Sequence, residues 1–155
     1  MTPPFELVAV DRAAAEELVP ILRDAEEGDE RIRAVLDEPA CRAYAARDGG
    51  VPVGAAVVRW AAREPSEIVY LAVAREQRRL GHGRRILAAL QAELPAHGRR
   101  LIVGTANSSL DNIAFYQRCG FRMLTVHRDF FAYIRPPIHE DGIPMLDMIV
   151  FSFDA

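Results

Sequence analysis

Residues 67–91, EIVYLAVAREQRRLGHGRRILAALQ, predict a strand, a turn and a helix in direct succession. Residues 67–73 are mostly apolar, β-branched or aromatic, which is typical of a buried strand. Apolar residues then recur at helical spacing, namely Ile86, Leu87, Leu90 and Leu94. The turn between them, residues 78–83 (RRLGHG), leaves the first amides of the helix unpaired. Because its two glycines let a ligand approach the backbone closely, the stretch predicts an anion site that would suit a pyrophosphate.

Two common phosphate-binding motifs are excluded by the same residues. A Walker loop requires Gly-Lys-Ser/Thr, and this chain of 155 residues contains no lysine. A dinucleotide fingerprint requires a third glycine, but Ile86 stands at that position. The remaining pattern is R-x-x-G-x-G, formed by Arg78, Gly81 and Gly83. Five arginines surround it and add positive charge: Arg75, Arg78, Arg79, Arg84 and Arg85.

In this setting the pattern resembles motif A of the GNAT superfamily of acyl-coenzyme A-dependent N-acetyltransferases. A second signature of that family is similar to Asn107 followed by residues 112–121, NIAFYQRCGF. Glu67 precedes Gly81 by the same distance as the general-base glutamate in the histone-acetylating branch. The resemblance covers roughly residues 51–128, and several segments are similar to an uncharacterised bacterial subgroup.

The resemblance implies one GNAT domain over residues 1–155, with a central, mixed and splayed β-sheet of about seven strands and about four helices. The first helix is predicted from Asp11 to Ala25, bent at Pro20. Residues 121–131 predict a strand. Residues 135–144 predict a loop, since adjacent prolines do not fit a central ladder. The apolar last strand, residues 146–153, could pair with another chain, which allows a homodimer.

The resemblance also implies acetyl-coenzyme A as cosubstrate, held mainly by backbone groups. The predicted binding residues are Leu71, Ala72, Val73, Arg78, Arg79, Leu80, Gly81, His82, Gly83, Arg84, Asn107 and Tyr116. The His82 side chain is expected to point outward and to contact, at most, a coenzyme phosphate. Asn107 is expected to bind pantetheine or to position the helix. Because it lies nine residues before Tyr116 where the family usually has seven, the alternative is that it serves only as a cap.

Acetyl transfer to a primary amine needs a proton donor for the leaving thiolate and a base for the amine. Tyr116 is the predicted general acid, because in the family this tyrosine points at the thioester sulfur; the alternative is a packed, half-buried tyrosine. Glu67 is the predicted general base, with an exposed position at the strand start as the alternative and Glu64 as a substitute. Cys119 has no histidine nearby in the sequence to activate it, so direct attack without a covalent intermediate is expected.

The acidic segment Glu26, Glu27, Asp29 and Glu30 has two interpretations, a solvated turn or the mouth of a site for a cationic small-molecule or peptide amine. His139, Glu140 and Asp141 lack a second ligand cluster, so no metal is expected. The competing function is a non-catalytic acyl-coenzyme A-binding sensor or subunit of the same fold.

Composition limits the remaining classes. The formal net charge of −3 argues against a general nucleic-acid binder, although a basic patch surrounds the turn. No apolar run approaches the length of a membrane span. Cys41 and Cys119 are far apart and lack zinc-ligand spacing. We therefore expect a cytoplasmic protein without nucleic-acid or membrane partners.

Overall fold

A seven-stranded sheet forms the centre of the protein in a computed structural model that describes residues 4–155. The described residues form nine strands, seven in this sheet and two in a separate hairpin. They are β1 (Glu6–Val10), β2 (Cys41–Asp48), β3 (Val51–Arg59), β4 (Ser66–Val73), β5 (Arg100–Ala106), β6 (Arg122–His127), β7 (His139–Glu140), β8 (Ile143–Pro144) and β9 (Met148–Asp154). The central sheet has the order β1-β2-β3-β4-β5-β9-β6, and β7 pairs with β8 separately. The predicted mixed sheet of seven strands is thus confirmed.

Four helical segments cover the two faces of this sheet. Their helices are α1 (Arg12–Ala15), α2 (Val19–Leu22), α3 (Asp29–Leu36), α4 (His82–Glu93) and α5 (Leu110–Arg118). A 3₁₀ turn, Glu16–Leu18, joins α1 to α2, so these two form a single interrupted helix. The interruption lies just before Pro20 of α2, which cannot donate an amide hydrogen bond and whose ring crowds the carbonyl of Glu16, four residues earlier.

Hydrophobic packing divides the core into two layers. On one face, α4 and α5 pack against the sheet, and Ile86, Leu87, Leu90 and Leu94 of this layer are completely buried. On the other face, the segments α1–α3 bury Leu22 and Ile32 against β2, β3 and β4. The helical spacing seen in the sequence therefore corresponds to the buried face of α4.

The sheet is splayed between β4 and β5. These strands run parallel and pair only where residues 66–68 face residues 101–103. A β-bulge leaves Val69 without a partner on β3, because Val57 pairs with Tyr70 and Val58 pairs with Ile68. The bulge reverses the alternation of side chains, so that Ile68 joins the α4 layer and Tyr70 joins the α1–α3 layer. A V-shaped gap between the strands begins immediately beyond this point.

Three predicted boundaries differ from the structure. The first helix ends at Leu22 instead of Ala25. Strand β6 ends at His127, shortly before Asp129 turns the chain with φ 59°. The predicted loop 135–144 contains the hairpin β7–β8, whose two turn residues, Asp141 and Gly142, have φ of 51° and 76°. An Asp-Gly pair of this kind favours a tight hairpin turn.

The expectation that the last strand pairs with another chain is wrong. Strand β9 lies between β5 and β6, so both of its edges are already hydrogen-bonded within the sheet. The free edge on this side belongs to β6, and every residue of that strand is exposed. Any contact with a second copy along this edge would therefore involve β6.

Candidate active site

A cleft of about 750 Å³ lies where β4, the glycine turn and α5 meet. Its walls contain Leu71, Ala72 and Val73 from β4, residues of the turn and of the start of α4, and one face of α5. Ten of the predicted binding residues line it: Leu71, Ala72, Val73, Arg78, Arg79, Gly81, His82, Gly83, Arg84 and Tyr116. The structure therefore brings the two sequence signatures together at one cavity.

The glycine turn presents backbone amides to this cleft. The amide of Arg85 donates the first hydrogen bond of α4, 3.2 Å to the carbonyl of Gly81. The amides of residues 82–84 precede that bond and remain for a ligand. Because α4 is 12 residues long and begins here, its dipole adds positive potential at the same point.

The two glycines of the turn are required for different reasons. Gly81 has φ 84°, which side-chain-bearing residues rarely adopt, and a Cβ on it would meet nothing within 4 Å. At Gly83 the backbone is ordinary, but a Cβ would lie 3.1 Å from Cζ of Phe115. Gly81 thus supplies the left-handed conformation of the turn at the cleft, while Gly83 lets α4 approach α5.

An ion pair spans the cleft near the turn. Nη2 of Arg78 lies 3.0 Å from Oδ2 of Asp24. Nε of Arg78 donates to the carbonyl of Val73 at 3.3 Å. Asp24 follows α2, 54 residues earlier in the chain, and it also lines the cleft. The pair holds the Arg78 side chain beside the predicted pyrophosphate position.

His82 does not point outward as expected. Its side chain is only 3% exposed, and its ring stacks on that of Phe5 with 6.4 Å between centroids. Nδ1 has no hydrogen-bond partner among residues 4–155. The aromatic stacking and the burial explain the orientation, so only the backbone of His82 faces a ligand at the turn.

Two predicted binding residues lie outside the cleft. Leu80 is 60% exposed. Asn107 anchors the segment before β9: its Oδ1 accepts from the amides of Leu146 and Asp147 at 2.9 and 3.0 Å, and its Nδ2 donates to the carbonyl of Pro144 at 3.1 Å. The residue preceding α5 as its N-cap is Ser109. The structure thus argues against both the pantetheine contact and the capping role for Asn107.

Tyr116 projects from α5 into the aromatic part of the core while lining the cleft. Its side chain is 7% exposed, and its ring contacts Phe115, Phe121 and Phe151, with centroids 5.3–6.0 Å apart. No hydrogen bond within residues 4–155 engages its hydroxyl group. Burial raises the pKa of Tyr116 to about 12. The phenol is therefore protonated at neutral pH and has a proton available for a group in the cleft.

Glu67 lies at the narrow end of the V, outside the walls of the cleft. Its Oε2 accepts a hydrogen bond of 3.2 Å from Nη1 of Arg59, and its side chain is 43% exposed. Since Ile68 joins the α4 layer, the preceding Glu67 faces the α1–α3 side of the sheet.

The hairpin β7–β8 is fixed to the start of α5 by a carboxylate. Oε1 of Glu140 accepts hydrogen bonds from the hydroxyls of Ser108 and Ser109 at 2.8 and 3.2 Å. Together with the Asn107 contacts, these bonds attach the hairpin segment to the end of β5. Glu140 of the segment His139, Glu140 and Asp141 is thus bonded to two serines. Among residues 4–155, no three His, Cys, Asp or Glu side chains are grouped as potential metal ligands.

Two of the four acids in the segment after α2 are paired. Asp29 forms a bidentate pair with Arg23, at 2.9 and 2.8 Å, and Oε1 of Glu26 lies 3.8 Å from Arg31. The guanidinium of Arg31 in turn lies 6.0 Å from the ring centre of Tyr133. These contacts favour the interpretation as a solvated turn, and none of the four acids lines the cleft.

Sequence reasoning missed several residues of the cleft. Phe115 is adjacent to Tyr116 in the second signature and could have been selected there. Asp24, Asn112 and Arg118 line the cleft as well, but no local pattern distinguishes them. The Val69 bulge was also missed, because strand alternation looks continuous in the sequence.

The mixed sheet that opens between parallel strands, with the glycine turn and α5 at the opening, is the GNAT fold that the two sequence signatures implied. The sequence profile of the acetyltransferase (GNAT) family matches residues 9–121. The chain belongs to this family, as its two signatures predicted.

Similar proteins come from several bacteria. An uncharacterised N-acetyltransferase of Bacillus subtilis, YvbK, is 29% identical over 141 residues, which is 90% of each chain. A GNAT family acetyltransferase of Elizabethkingia anophelis, solved with acetyl-CoA bound, is 27% identical with a TM-score of 0.86, over 97% of this chain and 98% of that one. An IAA acetyltransferase of Bacillus cereus is 28% identical with a TM-score of 0.81, over 97% and 99%.

No helix within residues 4–155 has the length and apolar character needed to cross a membrane. Both cysteines are free thiols.

Proposed function

We propose that this protein transfers an acetyl group from acetyl-coenzyme A to a primary amine of a small molecule or peptide. The observation that carries the proposal is the cleft itself, which joins the amides of residues 82–84 to the unbonded hydroxyl of Tyr116. The acetyl-CoA bound by the similar Elizabethkingia acetyltransferase supports the choice of cosubstrate. No metal is part of the proposal.

The coenzyme binds with its pyrophosphate on the turn and its pantetheine arm in the V. The amides of residues 82–84 hold the pyrophosphate, and the side chains of Arg78, Arg79 and Arg84 add positive charge. Beyond the bulge, β4 is separated from β5, so the edge of β4 that faces β5 offers backbone groups of residues 71–73 to the amide groups of pantetheine, apart from the Val73 carbonyl that accepts from Arg78. The thioester then lies between β4 and Tyr116.

The amine attacks the thioester carbonyl directly, and the carbon–sulfur bond breaks as the amide forms. Tyr116 donates its proton to the leaving thiolate, whose ordinary pKa near 8.5 lies below that of the buried phenol. Because the pKa of Tyr116 is about 12, the resulting tyrosinate recovers a proton rapidly from solvent. Cys119 takes no part in this route.

Glu67 is the proposed general base. It accepts a proton from the substrate ammonium, directly or through a water molecule, and this leaves the neutral amine that attacks the thioester. Its position at the narrow end of the V, on the side away from α4, supports this role because the amine must reach the thioester from that side.

The extent of the domain, the cellular location and the partners are proposals as well. We propose one domain over residues 1–155, action in the cytoplasm and no nucleic-acid or membrane partner. The free thiols of Cys41 and Cys119 fit a reducing compartment. A homodimer is proposed through the exposed edge of β6.

Calorimetric titration with acetyl-coenzyme A tests the proposal first, followed by an amine library screened for release of free coenzyme thiol. We expect binding in the micromolar range (~1–100 μM), typical of enzyme cosubstrates, and thiol release with at least one amine. Binding without transfer to any amine would favour the non-catalytic sensor. Absence of binding would refute the cosubstrate and, with it, the function.

A further inference from the structure

On the α1–α3 side of the sheet, one guanidinium bridges two carboxylates. Nε and Nη2 of Arg59 lie 2.8 and 3.0 Å from the two carboxylate oxygens of Glu38, and its Nη1 lies 3.2 Å from Oε2 of Glu67. Arg59 also faces Glu67 directly in the register of β3 and β4. The bidentate contact with Glu38 restricts the guanidinium plane and thereby the remaining donor that reaches Glu67.

We propose that Arg59 is a positioning residue for acetyl transfer: anchored by Glu38, it holds the Glu67 carboxylate at the narrow end of the V and stabilises its negative charge. The inference rests on the proposed role of Glu67 as general base. Only Oε2 of Glu67 is engaged, and within residues 4–155 no hydrogen bond reaches Oε1. That second oxygen is therefore free to accept a proton from an amine or a water.

The contact between Arg59 and Glu38 is the stronger half of this arrangement. The hydrogen bonds from Arg59 lower the pKa of Glu38. On the β5 side, Glu67 is opposite the uncharged Ile102. Within residues 4–155, the ion-pair partner of Glu67 is therefore Arg59.

The anchored guanidinium should affect turnover more than coenzyme binding. Arg59→Met removes both ion pairs and should lower kcat about tenfold, while the KM for acetyl-coenzyme A changes less than about twofold. Glu38→Gln removes the carboxylate that holds Arg59 at two points, so it should lower kcat in the same direction and by less.

Two variants control for general damage to the fold. Arg12 is as exposed as Arg59 and likewise pairs with two acids, Asp37 and Glu16, but it lies on α1 without contact to Glu67. Arg12→Met should leave kcat unchanged. Arg59→Lys retains the charge and should recover part of the kcat lost in Arg59→Met. Circular dichroism of each variant checks folding, and if Arg59→Met does not fold, Glu38→Gln and Arg59→Lys still test the proposal.

Lower kcat in Arg59→Met and Glu38→Gln, with the KM for acetyl-coenzyme A nearly constant, would support the proposal. Unchanged kcat in both variants, or an equal loss in Arg12→Met, would overturn it. Glu67→Gln separates this result from failure of the function: loss of kcat in that variant with unchanged kcat in the other two refutes only the positioning role of Arg59. Full activity of Glu67→Gln would instead refute the general base and the proposed positioning together.

Discussion

At the scale of single residues, the sharpest prediction concerns the hydroxyl group of Tyr116. Tyr116→Phe removes the hydroxyl that faces the cleft but keeps the ring and its contacts with Phe115, Phe121 and Phe151. We expect kcat to fall about 100-fold, as for loss of a general acid, with little change in the affinity for acetyl-coenzyme A. Tyr133→Phe, at a residue 64% exposed, is the matched control in steady-state assays. A variant at position 116 with normal kcat would exclude the acid role.

Two buried tyrosines also predict how stability depends on alkaline pH. Burial raises the pKa of both Tyr44 and Tyr116 to about 12, whereas an unfolded tyrosine titrates near 10. As pH rises from 10 to 12, the unfolded chain loses these protons first, so the free energy of unfolding falls; below pH 10 the two residues contribute no pH dependence.

Urea unfolding at a series of pH values measures this effect. The fall above pH 10 should be smaller in Tyr116→Phe and unchanged in Tyr133→Phe. An equal fall in the wild type and in Tyr116→Phe would show that burial does not raise the pKa of Tyr116.

At the scale of elements, the turn before α4 separates backbone strain from ligand binding. Gly50 and Gly81 have similar φ, 80° and 84°, and a Cβ on either would meet nothing within 4 Å. Alanine at either position should therefore cost about 1 kcal/mol of stability, the strain of a left-handed residue. Only Gly81→Ala should weaken acetyl-coenzyme A binding, because Gly81 lines the cleft and Gly50 does not.

Calorimetric titration and urea unfolding of both alanine variants provide the comparison. Equal loss of coenzyme affinity in Gly50→Ala and Gly81→Ala would attribute the effect to stability alone. Unchanged affinity in Gly81→Ala would remove the turn as the pyrophosphate site.

At the scale of the whole molecule, the exposed edge of the sheet predicts self-association. Met123, Leu124 and Val126 of β6 are 58%, 44% and 52% exposed, and they stand on a strand with one unpaired edge. Free edges with apolar side chains pair readily with other chains. We expect a homodimer, and Val126→Lys should shift it to monomer in light-scattering chromatography. Val51→Lys, at a 50% exposed residue of the distant β2–β3 hairpin, should not. A monomeric wild type at high concentration would refute this expectation.

The sequence by itself determined the features that depend on neighbouring residues. The strand, glycine turn and helix of residues 67–91 were predictable because strand periodicity, the φ of Gly81 and the free amides of a helix start are local properties. Tyr116 was predictable in the same way, from its place in a short helix signature. The ordered pair of signatures also determined the seven-stranded mixed sheet.

Only the tertiary structure decided which distant side chains meet. Asn107 contacts Pro144, Leu146 and Asp147, which lie 37 to 40 positions later in the chain, and therefore anchors a loop. Asp24 reaches Arg78 across the cleft. Arg59 meets Glu67 because β3 and β4 pair in one register, and the bulge at Val69 then reverses the sides that later residues face. A one-residue change in register reverses which side chains are buried, and local sequence patterns do not specify register. The geometry around the proposed base was therefore set by packing of the complete sheet.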